Sequence, residues 1–186
     1  MTTITTSENK KIYFASDQHL GAPTPKASLP REKKFVAWLD TIKEDAGTIF
    51  LLGDLFDFWF EYKTVVPKGF VRVLGKLAEL KDAGIDIYFF VGNHDLWMRD
   101  YFQKELNIPV FHKPQEFEIN GKIFLIGHGD GLGPSDYGYK RMKKVFTFPF
   151  FKWLFRWLHP DIGVRLGHYF SVKNKLISGD EDARFL

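Results

Sequence analysis

The 186-residue chain has no cysteine, which excludes disulfide scaffolds, thiolate zinc sites and cysteine nucleophiles. It has no long apolar run. The nearest is Val145–Leu158, which Lys152 and Arg156 interrupt before it reaches the ~18 uncharged residues of a membrane span. Its start has no apolar core of a signal peptide: Met1–Lys10 is polar and Thr-rich, and residues 1–10 read as a loose arm. These absences fit a cytoplasmic protein. The chain also has little net charge. With 26 Lys+Arg against 23 Asp+Glu it carries +3, too little to point to nucleic acid. What it has is apolar and aromatic matter, 45% hydrophobic residues and 17% Phe, Tyr and Trp. That is enough for one globular domain with a sizeable core, read here over residues 11–186.

Short apolar runs alternate with amphipathic segments. Ile12–Ala15, Thr48–Leu52 and Ile87–Val91 read as strands. Residues 31–44 read as a helix, with Phe35, Trp38, Leu39 and Ile42 at helical spacing. Residues 68–83 read as a second, stopped by Gly84. Continuous apolar strands between helices indicate parallel pairing with both faces covered. The pattern then changes. Phe117–Ile119 and Lys122–Ile126 flank Asn120-Gly121, a hairpin signal because both turn residues tolerate positive φ. At the other end, Ser178–Glu181 fits a capping box whose helix has Phe185 and Leu186 as its first apolar residues, and they end the sequence. Read so, the chain is truncated and its second sheet incomplete.

Four strand ends carry polar clusters: Asp17-Gln18-His19, Gly53-Asp54 with Asp57, Gly92-Asn93-His94-Asp95 and Gly127-His128-Gly129-Asp130. Ligand sites of open α/β sheets gather at carboxyl ends of strands. Carboxylate, imidazole and amide oxygen without sulfur suit Mn²⁺, Fe or Zn²⁺. Asp17 and His19, two apart, share a side of an extended chain. A carboxylate such as Asp54 can bridge two ions, and two ions ~3.5–4 Å apart can activate a hydroxide and clamp a phosphoryl group. Alone, each cluster has a bland reading as a turn, a cap or a stray histidine. Together and in order they read as a metal site.

The same clusters resemble the calcineurin-like metallophosphoesterases, roughly from Ile12 onward. The resemblance implies an α/β fold, an αββα sandwich of two mixed sheets. It implies two divalent metals, Mn²⁺ foremost: Asp17 and His19 bind one, Asn93 and His128 the other, and Asp54 bridges. It makes His94 a general acid or transition-state stabiliser, and Asp57, Asp95 and Asp130 supports of the ligands. Such proteins also carry a downstream Gly-His-x-His motif, which this chain lacks; Gly167-His168-Tyr169-Phe170 is a poor substitute.

Lys140–Lys175 stands apart. Nine basic residues oppose Asp161 alone, a net +8 that leaves −5 for the rest. Nine aromatic residues lie among them, from Phe146 to Phe170. Such a segment fits an anionic lipid surface, a core helix whose lysines snorkel, or single-stranded nucleic acid. Phe151, Leu154, Phe155 and Leu158 would form one buried stripe, and Phe150, Trp153 and Trp157 a second. The lipid reading is preferred over nucleic acid, and no obligate protein partner is evident. Within the superfamily, Tyr13–Gly21, Gly53-Asp54-Leu55-Phe56-Asp57-x-Trp59 and His128-Gly129-Asp130-x-Leu132 with Asp136 and Tyr139 resemble the UDP-2,3-diacylglucosamine diphosphatases of lipid A biosynthesis. That resemblance implies hydrolysis to UMP and the diacylated sugar 1-phosphate, at the cytoplasmic face of the inner membrane. It makes residues 137–177 a helical lid for the acyl chains, and Asp136, Tyr139, Lys140, Arg141, Lys173 and Lys175 candidate substrate contacts. Many members carry arginine where this chain has His94. A soluble phosphoesterase acting on nucleotides, and a metal-depleted remnant binding lipid or a partner, stay open as alternatives.

Overall fold

The computed structural model describes residues 1–130 and 137–177. Four strands form one sheet in the order β2-β3-β4-β5, all parallel: Lys11–Ala15, Ala46–Leu51, Asp86–Phe90 and Val110–Phe111. Three more form a second sheet in the order β1-β6-β7: Thr2–Ile4, Gln115–Ile119 and Lys122–Ile126. There β1 runs parallel to β6 and β7 antiparallel, so the mixed pairing lies in the smaller sheet.

The alternation of side chains along β3 and β4 builds the layers. Ile49, Leu51, Ile87 and Phe89 face the core shared with helices α1 (Pro25–Ile42) and α2 (Val71–Asp82). Phe50 and Phe90 point the other way, against Ile4, Phe117, Ile119 and Ile126 of the smaller sheet. Both faces of these strands are buried, which is why they read as unbroken apolar runs. The outer face of the smaller sheet leaves Ile123 68% and Leu125 73% exposed. The described order is therefore helices, sheet, sheet.

Local chemistry sets the boundaries. Asn120 and Gly121 turn the β6–β7 hairpin with φ 48° and 77°, the mirror-image turn expected of Asn-Gly. Gly84, at φ 84°, ends α2 while the Ile85 N–H reaches back to Leu80 O. Two expectations are corrected. Helix α1 begins at Pro25 rather than residue 31, because Thr24 caps it by accepting from Ala27 N–H and Pro25 suits the first turn. Pro30 lies inside it. And residues 1–10 are more than an arm: Thr2–Ile4 pair with Phe117–Ile119, and Ile4 is buried in the inter-sheet core. The N-terminus of α2 has no cap of its own. The buried Glu32 of α1 supplies one, its Oε1 accepting from Arg72 and Val73 N–H at 3.2 and 3.3 Å.

The short α3 (Tyr101–Leu106) precedes β5. Three helices follow β7: α4 (Tyr137–Thr147), α5 (Pro149–Arg156) and α6 (Pro160–Ile177). They rest on Phe58, Phe60 and Trp97 through Phe146, Phe155 and Val164. Trp97 Nε1 donates to Phe146 O at 2.7 Å. The Ser178–Glu181 capping box lies outside the described residues.

Candidate metal centre

The loops after β2, β3, β4 and β7 meet at one rim. The first two stay zipped beyond the sheet: Asp17 N–H donates to Gly53 O, His19 N–H to Asp54 O and Leu20 N–H to Leu55 O. Asp17, His19 and Asp54 all hold left-handed backbone, φ 58°, 44° and 54°, which non-glycine residues rarely adopt. Strain of this kind gathers at functional sites. The β3 and β4 loops approach so closely that only glycine fits. A Cβ on Gly92 would lie 2.1 Å from Asp54 Oδ1, and one on Gly53 would lie 2.7 Å from Gly92 N.

Asp54, buried, stands at the centre. Its Oδ1 accepts from His94 N–H at 2.9 Å. Its Oδ2 faces His19 Nε2 at 3.9 Å and His128 Nε2 at 3.5 Å. His19 Nε2 also faces Asp17 Oδ1 at 3.9 Å, while its Nδ1 turns to Asp57 Oδ1 at 3.9 Å. His128 Nδ1 lies 2.6 Å from Leu52 O. A carbonyl only accepts, so Nδ1 is the donor, and in the neutral ring Nε2 then presents its lone pair. That lone pair faces Asn93 Oδ1 at 3.3 Å as well as Asp54 Oδ2. Three such acceptors facing one another fit a cation. Two groups converge closely enough to hold one, His19 with Asp54 and His94, and Asp17 with Asp54 and His128. Asp54 belongs to both.

The supports differ in kind. Asp95 is fully buried and accepts from Gly92 N–H at 2.6 Å and Leu55 N–H at 3.2 Å, tying the β3 and β4 loops together. Burial, and then the neighbouring Asp54 charge, push its carboxyl well above the usual range. Asp57 is also buried, and its backbone O accepts from His94 Nδ1 at 3.0 Å. Asp130 pairs with Lys143 of α4.

A calcineurin-like phosphoesterase profile matches residues 10–185. The chain belongs to the calcineurin-like phosphoesterases. Members of this family work with divalent metals, which the acceptor-lined rim fits. A protein of Porphyromonas gingivalis named UDP-2,3-diacylglucosamine hydrolase is 43% identical over 166 residues, covering 89% of this chain and 63% of its own length. Proteins of the same name from Histophilus somni (31% identical, 89% of this chain) and Actinobacillus succinogenes (28%, 88%) are each covered over 68% of their length. The chain thus spans about two thirds of these relatives.

Beside the rim the chain has a cavity of about 150 Å³. Its polar lining includes Asp57, Asn93 and His94, and its apolar lining Trp97, Phe146, Phe155 and Phe170. Of the candidate substrate contacts, Arg141 is exposed on α4. Tyr139 and Lys140 also lie on α4, and Lys173 and Lys175 on α6, with side chains outside the described set. Asp136 lies outside the described residues. Sequence reading missed two groups that shape the rim. Arg31 of α1 donates to the carbonyls of Gln18 and His19, at 3.3 and 2.9 Å. Ser171 of α6 donates to Asp57 Oδ2 at 2.7 Å. Nothing local marks Arg31. Ser171 had a signal, its four-residue spacing from Gly167 and Gly163.

Proposed function

We propose that this phosphoesterase hydrolyses the pyrophosphate bond of UDP-2,3-diacylglucosamine, releasing UMP and 2,3-diacylglucosamine 1-phosphate for lipid A biosynthesis. The observation that carries the reading is the cavity, which joins the polar rim at Asn93 and His94 to an aromatic wall built by the lid helices. A substrate with a charged diphosphate next to acyl chains has that polarity. The shared name of the curated relatives supports the same substrate.

In this reading Asp17, His19, Asp54, Asn93 and His128 hold two divalent ions, Mn²⁺ by preference for their oxygen and imidazole donors. The bound ions supply Lewis-acid polarisation and a nucleophile at neutral pH. Asp57 orients His19 from behind and keeps Nε2 turned to the rim. His94 is held by its Nδ1 on the Asp57 carbonyl, and as an imidazolium it stabilises charge developing on the phosphoryl group. Asp95 and Asp130 brace the loops. Asp136, Tyr139, Lys140, Arg141, Lys173 and Lys175 contact the substrate. The enzyme works at the cytoplasmic face of the inner membrane, held there by exposed aromatics of the lid.

The test is UMP release from UDP-2,3-diacylglucosamine with Mn²⁺, measured beside a short-chain soluble nucleotide diphosphate. Turnover of the lipid at least ~10-fold faster supports the reading, since burial of acyl methylenes at ~0.8 kcal/mol each favours the long chains. Equal turnover of both would make the protein a general soluble phosphoesterase. Metal uptake without turnover of either would leave a binding protein.

A further inference from the structure

Helix α6 does more than roof the cavity. Gly163, Gly167 and Ser171 recur every four residues and so share one face of it. That face seats on Asp57–Tyr62. A Cβ on Gly163 would lie 2.1 Å from the Tyr62 hydroxyl, and one on Gly167 would lie 2.3 Å from the Phe58 ring. The close approach delivers Ser171, only 6% exposed, onto the Asp57 carboxylate. Its hydroxyl donates to Asp57 Oδ2 at 2.7 Å and stands 3.4 Å from His94 Nδ1. The other oxygen, Oδ1, is the one that faces His19 Nδ1 at 3.9 Å and His94 Nδ1 at 3.7 Å.

We propose that Ser171 is a positioning residue, through which the seating of lid helix α6 fixes the Asp57 carboxylate and hence the imidazole of His19. A carboxylate anchored through one oxygen cannot rotate freely. Its second oxygen, 3.9 Å from His19 Nδ1, then biases the ring electrostatically to keep Nε2 toward Asp17 and Asp54. The same turn of α6 contributes Gly167, Phe170 and Ser171 to the cavity wall. An acyl chain in the cavity therefore presses on the helix that orients a metal ligand. The inference rests on the metal-centre reading above.

The experiment is Mn²⁺ titration by calorimetry of the wild-type chain, Ser171→Ala and Ser171→Cys, with kcat and KM for the lipid in parallel. Losing the hydroxyl donor is expected to weaken Mn²⁺ binding about 10-fold and lower kcat by a similar factor. KM should change by less than about twofold, because the aromatic part of the wall, Trp97, Phe146, Phe155 and Phe170, is intact. In an Asp57→Asn background the Ser171→Ala change should have almost no further effect, as expected if one residue acts through the other. The cysteine variant keeps the volume and serves if the alanine variant fails to fold. A variant that binds Mn²⁺ as the wild type does, or that only lowers the melting temperature, would overturn the positioning role alone. A wild-type chain that takes up no Mn²⁺ would overturn both the metal reading and this inference.

Discussion

Asp54 concentrates the conflict between folding and chemistry. It is buried, its backbone is left-handed, and the buried Asp95 carboxyl stands near enough to feel its charge. None of this favours the fold by itself. A cation between Asp54 Oδ2 and the histidines would offset it. Asp54→Asn therefore has opposite expected effects on stability and function. The amide keeps an oxygen for His94 N–H, and it removes a buried charge beside the Asp95 carboxyl. In chelator the variant should melt a few degrees higher, ~1 kcal/mol at ~2–4 °C per kcal/mol for a chain of this size. With Mn²⁺ it should lose the metal-induced stabilisation and more than ~100-fold in UMP release. Calorimetry with and without Mn²⁺ checks both halves, and unchanged metal stabilisation would remove Asp54 from the centre. Gly92→Ala is the contrasting case. Its Cβ meets Asp54 backbone and side chain at once, so stability should fall by ~1–3 kcal/mol and turnover with it. The identities of these rim residues were legible from order and residue type alone. Their left-handed φ values were not, because nothing in Asp17, His19 or Asp54 as residue types announces a backbone they rarely adopt.

Elements with strong local codes were read correctly, and those held by distant partners were not. The hairpin at Asn120-Gly121 and the stop at Gly84 follow from turn chemistry within four residues. Strand β1 exists because β6 is there to pair with, so no local pattern in Met1–Lys10 could reveal it. The N-terminus of α2 depends on Glu32, 39 residues upstream of Val71 in the numbering, so its start was misplaced by three residues. Two glycines test how the helices are held. Gly75, exposed in α2, has nothing within 4 Å of a would-be Cβ. Gly75→Ala should raise stability by ~0.5–1 kcal/mol, the helix-propensity gain alone. Gly167→Ala carries the same gain but drives a methyl into the Phe58 ring. It should unseat α6, lower stability and cut lipid turnover at least ~10-fold through the Ser171–Asp57 contact. Denaturant melts of the two variants, read beside UMP release, compare them directly. Equal stabilisation by both would mean that α6 does not rest on Phe58.

The whole molecule has two unlike surfaces. The parallel sheet is sealed between helices and the smaller sheet, while α4, α5 and α6 turn apolar side chains outward. In α5 none of the eight residues is buried. Of the two stripes read from the sequence, Phe150, Trp153 and Trp157 are exposed, with Trp157 at 74%. The first stripe, expected inside, is also largely outside. Only Phe155 packs into the Phe58–Phe60–Trp97 cluster, while Phe151 and Leu154 stay exposed. Periodicity located the apolar faces but could not say which had a partner. Lys144, Lys152, Arg156 and Arg165 lie on the same three helices. Among the described residues no helix is long and apolar enough to cross a membrane. The exposed aromatic face is the surface proposed to meet lipid. Trp153→Ser with Trp157→Ser removes two large anchors. Half-embedding each ring is worth ~1 kcal/mol, so the double variant should bind phosphatidylglycerol vesicles roughly 30-fold more weakly in cosedimentation. Wild-type binding should also fall as salt shortens the Debye length from ~10 Å at 0.1 M to ~3 Å at 1 M, leaving the aromatic contribution. Turnover of a detergent-dispersed lipid should be unaffected, since neither tryptophan lines the cavity. A double variant that sediments as the wild type does would show that the exposed aromatic face is not the membrane contact.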